Sequence, residues 1–164
     1  RLTKNKMPFQ FKSRDHVVFS SSIIPAQSNI ENREKYWIKG QVNAKKREEK
    51  YGHEAKLIVL TGKANKATYE KFGTELESKL FNENKMVYRH GFQYMGSTNQ
   101  STPFTTQSDQ KADMIQSLMR IAYAFLDAGH IYITSIPNLT DQDIQNLKAL
   151  SNPYEVEIIN IVNL

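Results

Sequence analysis

Cysteine is absent from the 164 residues, which excludes a disulfide framework, a thiolate metal site and a cysteine nucleophile together. A reducing compartment, the cytoplasm, is the expected location. No apolar run approaches the ~18–20 residues that span a bilayer, and the start carries no hydrophobic signal core, so no membrane association is expected. The four histidines, His16, His53, His90 and His130, are scattered singly and form no cluster of metal-ligand spacing, so no metal site is expected. A strong charge of one sign is missing as well. The 22 Lys and Arg exceed the 17 Asp and Glu by five, too mild a surplus to argue for a nucleic-acid partner. What is present is globular: 39% hydrophobic, 10% aromatic and 24% charged residues suit one domain with a real core and an appendage. The chain opens at Arg1 rather than Met. That suggests a piece of a longer polypeptide, and the remainder of that polypeptide or a partner enzyme is the expected partner.

Residues 1–15 are polar and basic and read as a linker or arm. His16–Ile24 (HVVFSSSII) reads as a strand stopped by Pro25. Ile30–Tyr51 is rich in helix formers behind an N-cap at Ser28-Asn29, and Gly40 leaves open two helices or one kinked helix. The charge run Lys45–Lys50 reads as a solvated helix face. From Lys56 the pattern alternates. Lys56–Thr61 (KLIVLT) is a wholly apolar strand of the kind buried on both faces of a parallel sheet. A helix follows over Thr68–Phe81, with Phe72, Leu76 and Leu80 as its apolar stripe. Met86–Tyr88 is a short strand, and residues 90–108 form a long polar loop.

A helix capped by Ser108 or Asp109 runs to Asp127 with Ile115, Leu118, Met119, Ala122, Phe125 and Leu126 inward, and ends at a Gly129 C-cap. His130–Ser135 is a strand, Thr140 caps a helix to Leu150, and Tyr154–Val162 is the closing strand. This alternation predicts a three-layer α/β sandwich with a mainly parallel sheet. Ligands of such sheets bind beyond the carboxyl ends of the strands. That directs attention to Thr61-Gly62, Arg89-His90-Gly91 and Thr134-Ser135.

From about Lys46 onward the chain resembles adenylylsulfate (APS) kinase, a P-loop kinase. The resemblance rests on KREEKYGHEAKLIVLTG at 46–62, ELESKLFNENKMVY at 75–88, RHG at 89–91 and LMRIAYAFLDAGHIYITS at 118–135. It implies a P-loop-kinase-like domain over 46–164, with 1–45 as an N-terminal strand-and-helix extension. The chemistry departs from the family at three places. A working phosphate loop has the form G-x-x-x-x-G-K-S/T, in which amides curl round phosphates, Lys reaches them and the hydroxyl holds Mg²⁺. Counting from Gly62, this chain has Ala67, Thr68 and Tyr69 at the last three of those positions, and Asn65 at the family's middle glycine. Lys63 and Lys66 offer positive charge by another route, and a helix N-terminus still offers free amides to an anion.

The family's Asp-Gly-Asp-Asn segment before its substrate arginine is deleted, since Tyr88 runs directly into Arg89. Arg89 itself matches that arginine and suits a sulfate or phosphate. The third loop retains only Lys111 and, later, Arg120 as cations, and Ser135-Ile136-Pro137-Asn138 lacks the family's basic lid.

Three altered loops imply a pseudokinase, with no catalytic residues and no dependence on Mg²⁺. The wider family offers a precedent in fungal ATP sulfurylases, whose kinase-like domain senses a nucleotide. The expected function is therefore nucleotide sensing, regulation or scaffolding within a larger protein, connected through the resemblance to sulfate assimilation. ATP or a PAPS-like adenine nucleotide is the candidate ligand, and Gly62, Lys63, Asn65, Lys66, Thr68 and Arg89 are the candidate anion contacts. Two alternatives remain open. One is a divergent active kinase, a transferase using Lys63 or Lys66. The other is a nucleic-acid-associated module, because residues 15–33 resemble a strand and turn of ribonuclease J-type nucleases and Phe9, Phe11, Tyr36, Trp37, Tyr51, Tyr69 and Tyr94 lie near basic residues.

Overall fold

The computed structural model describes residues 26–90 and 107–162. The expected strand at 16–24 and nearly all of the polar loop lie outside them. The element order is α1 (Ala26–Tyr36), α2 (Ala44–Tyr51), β1 (Lys56–Lys63), α3 (Lys66–Asn82), β2 (Val87–Arg89), α4 (Gln107–Asp127), β3 (Ile131–Ser135), α5 (Asp141–Ser151) and β4 (Glu155–Val162). The four strands form one sheet in the order β2-β3-β1-β4, and every pairing is parallel. All four carboxyl ends therefore lie along one edge.

The central strand shows why its sequence is uniformly apolar. Leu57 and Val59 face the cluster of Leu118, Met119, Ala122 and Leu126 from α4 and Leu147 and Leu150 from α5. Ile58 and Leu60 face the opposite cluster, where α3 contributes Tyr69, Leu76 and Leu80. With helices on both faces a strand has no wet side, so polar alternation would bury unpaired groups. The result is the three-layer α/β sandwich that the alternation of elements predicts.

Several boundaries differ from the sequence reading, each for a local reason. Of the two readings open for 30–51, the structure has two helices and not one kinked helix, with Asn43 as the N-cap of α2, accepting from Lys46 N at 3.0 Å. Ser28 and Asn29 lie inside α1, which starts at Ala26, so they do not cap it. Asn32 and Arg33 are helical, as the reading of 30–51 has them and unlike the turn of the ribonuclease J resemblance. α1 docks on α5: Arg33 donates to the Leu150 carbonyl at 2.6 Å, its guanidinium lies 3.5 Å from the Tyr123 ring centroid, and Ile30 packs on the core. The stripe on α3 holds at Leu76 and Leu80, which pack on the core, and is corrected at Phe72. Its buried positions are Tyr69 and Gly73, while Phe72 is 38% exposed at the rim. Gly129 does take the left-handed conformation, φ 89°, and a side chain there would meet Tyr51 and Arg47 of α2.

Candidate functional site

At the carboxyl edge, the stretch that aligns with a phosphate loop is a short strand-to-helix turn. β1 runs two residues beyond Thr61, with Gly62 and Lys63 laddered against Ile161 and Val162 of β4. Gly62 has φ 120°, and a Cβ on it would collide with the Ile161 carbonyl and the Asn160 side chain. The glycine is therefore explained by the close approach of β4. Only Ala64 and Asn65 separate β1 from α3.

Asn65 is extended, φ −78° and ψ 166°, not left-handed. Its Oδ1 accepts from Thr68 N at 2.8 Å and Thr68 Oγ1 at 2.9 Å. A helix start leaves amides without intrahelical partners, and this side chain takes one of them. Tyr69, at the position of the family's Mg²⁺-binding hydroxyl, is buried and donates its phenol to the Gly62 carbonyl at 2.8 Å. Burial raises its pKa, so the group stays a neutral donor. Lys63 and Lys66 are exposed on either side of the turn. The residues present do not fit a magnesium-bound triphosphate as the family resemblance would hold one.

Arg89 ends β2 and points to α3. Its Nη2 donates to Glu70 Oε2 at 2.6 Å and its Nη1 to Thr74 Oγ1 at 3.3 Å, while its own side chain is only 14% exposed. It lies directly over Gly73, where a Cβ would overlap its Nε. Both the candidate turn and Arg89 thus meet α3, the turn at its first residues and Arg89 further along. Next to it, His90 Nδ1 lies 3.3 Å from the Tyr132 phenol.

The crevice between β1 and β3, where the direction of chain crossing reverses, is the expected ligand position in such a sheet. Here the β3–α5 loop sits on it. Asn138 N donates to the Gly62 carbonyl at 3.3 Å and Leu139 N to Thr61 Oγ1 at 3.0 Å. Lys111 of α4 donates to the Asn138 carbonyl at 2.5 Å and pairs with Asp143 at 2.7 Å. Asp143 also closes a capping box with Thr140. Burial pushes the Asp143 carboxyl up, but the bonds from Lys111 and from Thr140 outweigh it and hold the group below its ordinary value. Lys111, a basic residue left in the third loop, is thus engaged with the protein's own acceptors.

A groove of about 560 Å³ opens between α3 (Thr68, Lys71, Phe72, Glu75) and the last four residues of β4, a volume within the range of small-ligand sites. The sequence reading did not find it, because no local pattern tells which helix will face which sheet edge. It also missed Glu70, Gly73 and Thr74 as partners of Arg89. Their i, i+3, i+4 spacing, with a glycine inside a helical run, carries the available signal of a close approach. Among the described residues the named aromatics are spread over separate places, with Tyr36 exposed beside Lys35. Tyr69 is buried, Tyr51 stacks on His53 and Trp37 packs edge-on to Tyr123, while Phe9, Phe11 and Tyr94 lie outside the described residues. Among the described residues no group of three or more His, Asp or Glu is placed to hold a metal, and no helix is long and apolar enough to cross a membrane.

No family profile matches the chain. It is 27% identical over 120 residues to the adenylyl-sulfate kinase of Staphylococcus epidermidis, which covers 73% of this chain and 59% of that protein. The chain therefore spans less than two thirds of the length of the curated relative. Among solved structures, the crystal structure of APE1195 superposes with a TM-score of 0.54 at 16% identity, covering 68% of this chain and 64% of that one. The chain is thus similar in sequence to an adenylyl-sulfate kinase, and its parallel sheet flanked by helices is an α/β fold consistent with a P-loop kinase-like domain.

Proposed function

We propose that this chain is a kinase-like domain that senses an adenine nucleotide without transferring its phosphoryl group, as a regulatory or scaffolding part of a larger protein. The observation that carries the reading is the β1–α3 turn. Asn65 occupies the Thr68 amide and hydroxyl, Tyr69 is turned onto the Gly62 carbonyl, and Thr68 stands at the position where the phosphate-reaching lysine belongs. Phosphoryl transfer is almost wholly positioning and charge neutralisation, so loss of cradle, cation and metal hydroxyl together removes its means. Lys63 and Lys66 remain exposed beside the turn and can attract an anion electrostatically.

The test is calorimetry with ATP, with and without Mg²⁺, beside a coupled assay with ATP, Mg²⁺ and adenylylsulfate. Weak nucleotide binding that Mg²⁺ does not improve, lost in the Lys63→Ala/Lys66→Ala variant, and no turnover are expected. Turnover abolished by Lys66→Ala would make the chain an active kinase instead.

A further inference from the structure

The β3–α5 connection crosses the carboxyl edge of the sheet. Ile136 is buried in the core and its amide donates to the Leu60 carbonyl at 2.9 Å, while Thr140 is fixed by the capping box that starts α5. Between these two anchors Pro137, Asn138 and Leu139 pass over the end of β1. Asn138 N donates to the Gly62 carbonyl and Leu139 N to the Thr61 hydroxyl, so the connection closes on the strand end that leads into the candidate anion turn. Asn138 has φ 54°, a left-handed conformation that a residue with a side chain adopts at a cost. Its backbone is held there from both sides, the N–H by Gly62 and the carbonyl by Lys111.

Lys111 reaches these groups from α4 and ties two segments at once, the Asn138 carbonyl in the connection and the Asp143 carboxylate in the first turn of α5. The side chains of Lys111 and Asp143 are only 16% and 17% exposed. A pair so far withdrawn from water keeps more of its attraction than a surface pair does. The Asp143 carboxyl is held below its ordinary value, so the pair is complete at neutral pH. While the connection is in place, the charge of Lys111 is neutralised by the protein itself.

We propose that the β3–α5 connection is an autoinhibitory strap over the nucleotide crevice, locked by Lys111, and that a nucleotide's phosphates reach the β1–α3 turn only when residues 137–139 lift away. This inference rests on the nucleotide-sensing function proposed above and supplies its regulation. The strap lowers the apparent affinity by the fraction of molecules in which it is open. By linkage, whatever favours the open strap raises nucleotide affinity, and bound nucleotide favours the open strap to the same degree.

The sign of one substitution separates the strap from simple electrostatics. Lys111→Met removes a cation, which by charge alone weakens ATP binding. With the strap unlocked it should instead tighten ATP binding by about tenfold. Thr61→Val changes no charge, leaves the Leu139 amide without its acceptor and should act in the same direction. Calorimetric titration of the full chain and both variants with ATP measures this. Hydrogen exchange without ligand is the second readout. The Asn138 and Leu139 amides should exchange about tenfold faster in both variants, while protection of the Leu57–Leu60 amides verifies that the sheet is folded. Weaker ATP binding in Lys111→Met, or strap amides that exchange as in the wild type in both variants, overturns the strap. Released strap amides with no ATP binding in any of the three proteins would show that this sheet edge is not a nucleotide site, and the inference falls with that reading.

Discussion

Gly73 and Arg89 share one volume: the Arg89 guanidinium lies where a side chain at position 73 would have to begin, and is fixed there by Glu70 and Thr74. The two residues should therefore be thermodynamically coupled. A glycine inside a helix costs about 1 kcal/mol relative to alanine, so Gly73→Ala alone has two opposed effects, the propensity gained and the seat of Arg89 lost. In an Arg89→Ala background only the first remains, and Gly73→Ala should stabilise by about 1 kcal/mol. In the presence of Arg89 it should stabilise not at all or destabilise. A double-mutant cycle by urea denaturation reads the difference; strictly additive effects would show that Arg89 does not occupy this seat in solution.

The Lys111–Asp143 pair gives stability a pH dependence of known sign. The Asp143 carboxyl is held below its ordinary value of 3.8 in the folded chain. A depressed carboxylate contributes stability that is fully present well above its unfolded pKa and is lost as the pH falls through its folded one. Asp143→Asn should therefore be less stable than the wild type at neutral pH, with the gap closing below pH 3.8. Lys111→Met should do the same and also free the Asn138 carbonyl. Urea midpoints measured from neutral to acid pH provide the check, and a gap that stays constant would remove the linkage.

How much of this could be read from the chain depends on the range of the interactions involved. Lys56–Thr61 and 130–135 are recognisable as strands because burial on both faces leaves an unbroken apolar run. Thr140 is recognisable as a cap because its partner Asp143 lies three residues away. The start of α1 is not legible in the sequence, because serine and asparagine are the same residue types inside a helix as at its cap. The outcome there is decided by docking on α5 more than a hundred residues away, through Arg33 and Leu150. Arg89 is recognisable as a notable cation after the second strand, but its partners are not. The contact with Glu70 depends on how α3 crosses β2, which no local spacing encodes. The same holds for the groove, whose two walls are about ninety residues apart in sequence.

The docking of α1 rests heavily on one side chain. Arg33 is partly desolvated, which lowers its pKa from the ordinary arginine value, yet it keeps a carbonyl acceptor and the face of Tyr123. A cation over an aromatic ring contributes roughly 0.5–2 kcal/mol depending on desolvation, and a charged hydrogen bond about 1.5–3 kcal/mol. Arg33→Met, which keeps the apolar stem, should then cost about 2 kcal/mol in all. Amides of α1 should exchange with deuterium faster than those of β1 in the variant. Unchanged exchange in α1 would mean that its packing through Ile30 suffices.

Asn65 separates the structural and ligand-binding roles of the β1–α3 turn. Asn65→Ala leaves the Thr68 amide without its cap and should cost about 1 kcal/mol. The freed amide is then available to a phosphate, so weak ATP binding should improve even as the fold loosens. Asn65→Asp keeps an acceptor at the cap and places a negative charge at the helix start, which favours the helix by about 0.3–1 kcal/mol. That same charge repels an anion. The aspartate variant should therefore melt at or above the wild-type temperature while losing ATP affinity, and the alanine variant should do the reverse. Thermal melts beside calorimetric titrations measure both quantities on the same samples. If the aspartate variant binds ATP as well as the wild type does, the nucleotide's phosphates do not sit at the start of α3, and the cations Lys63 and Lys66 cannot be their contacts.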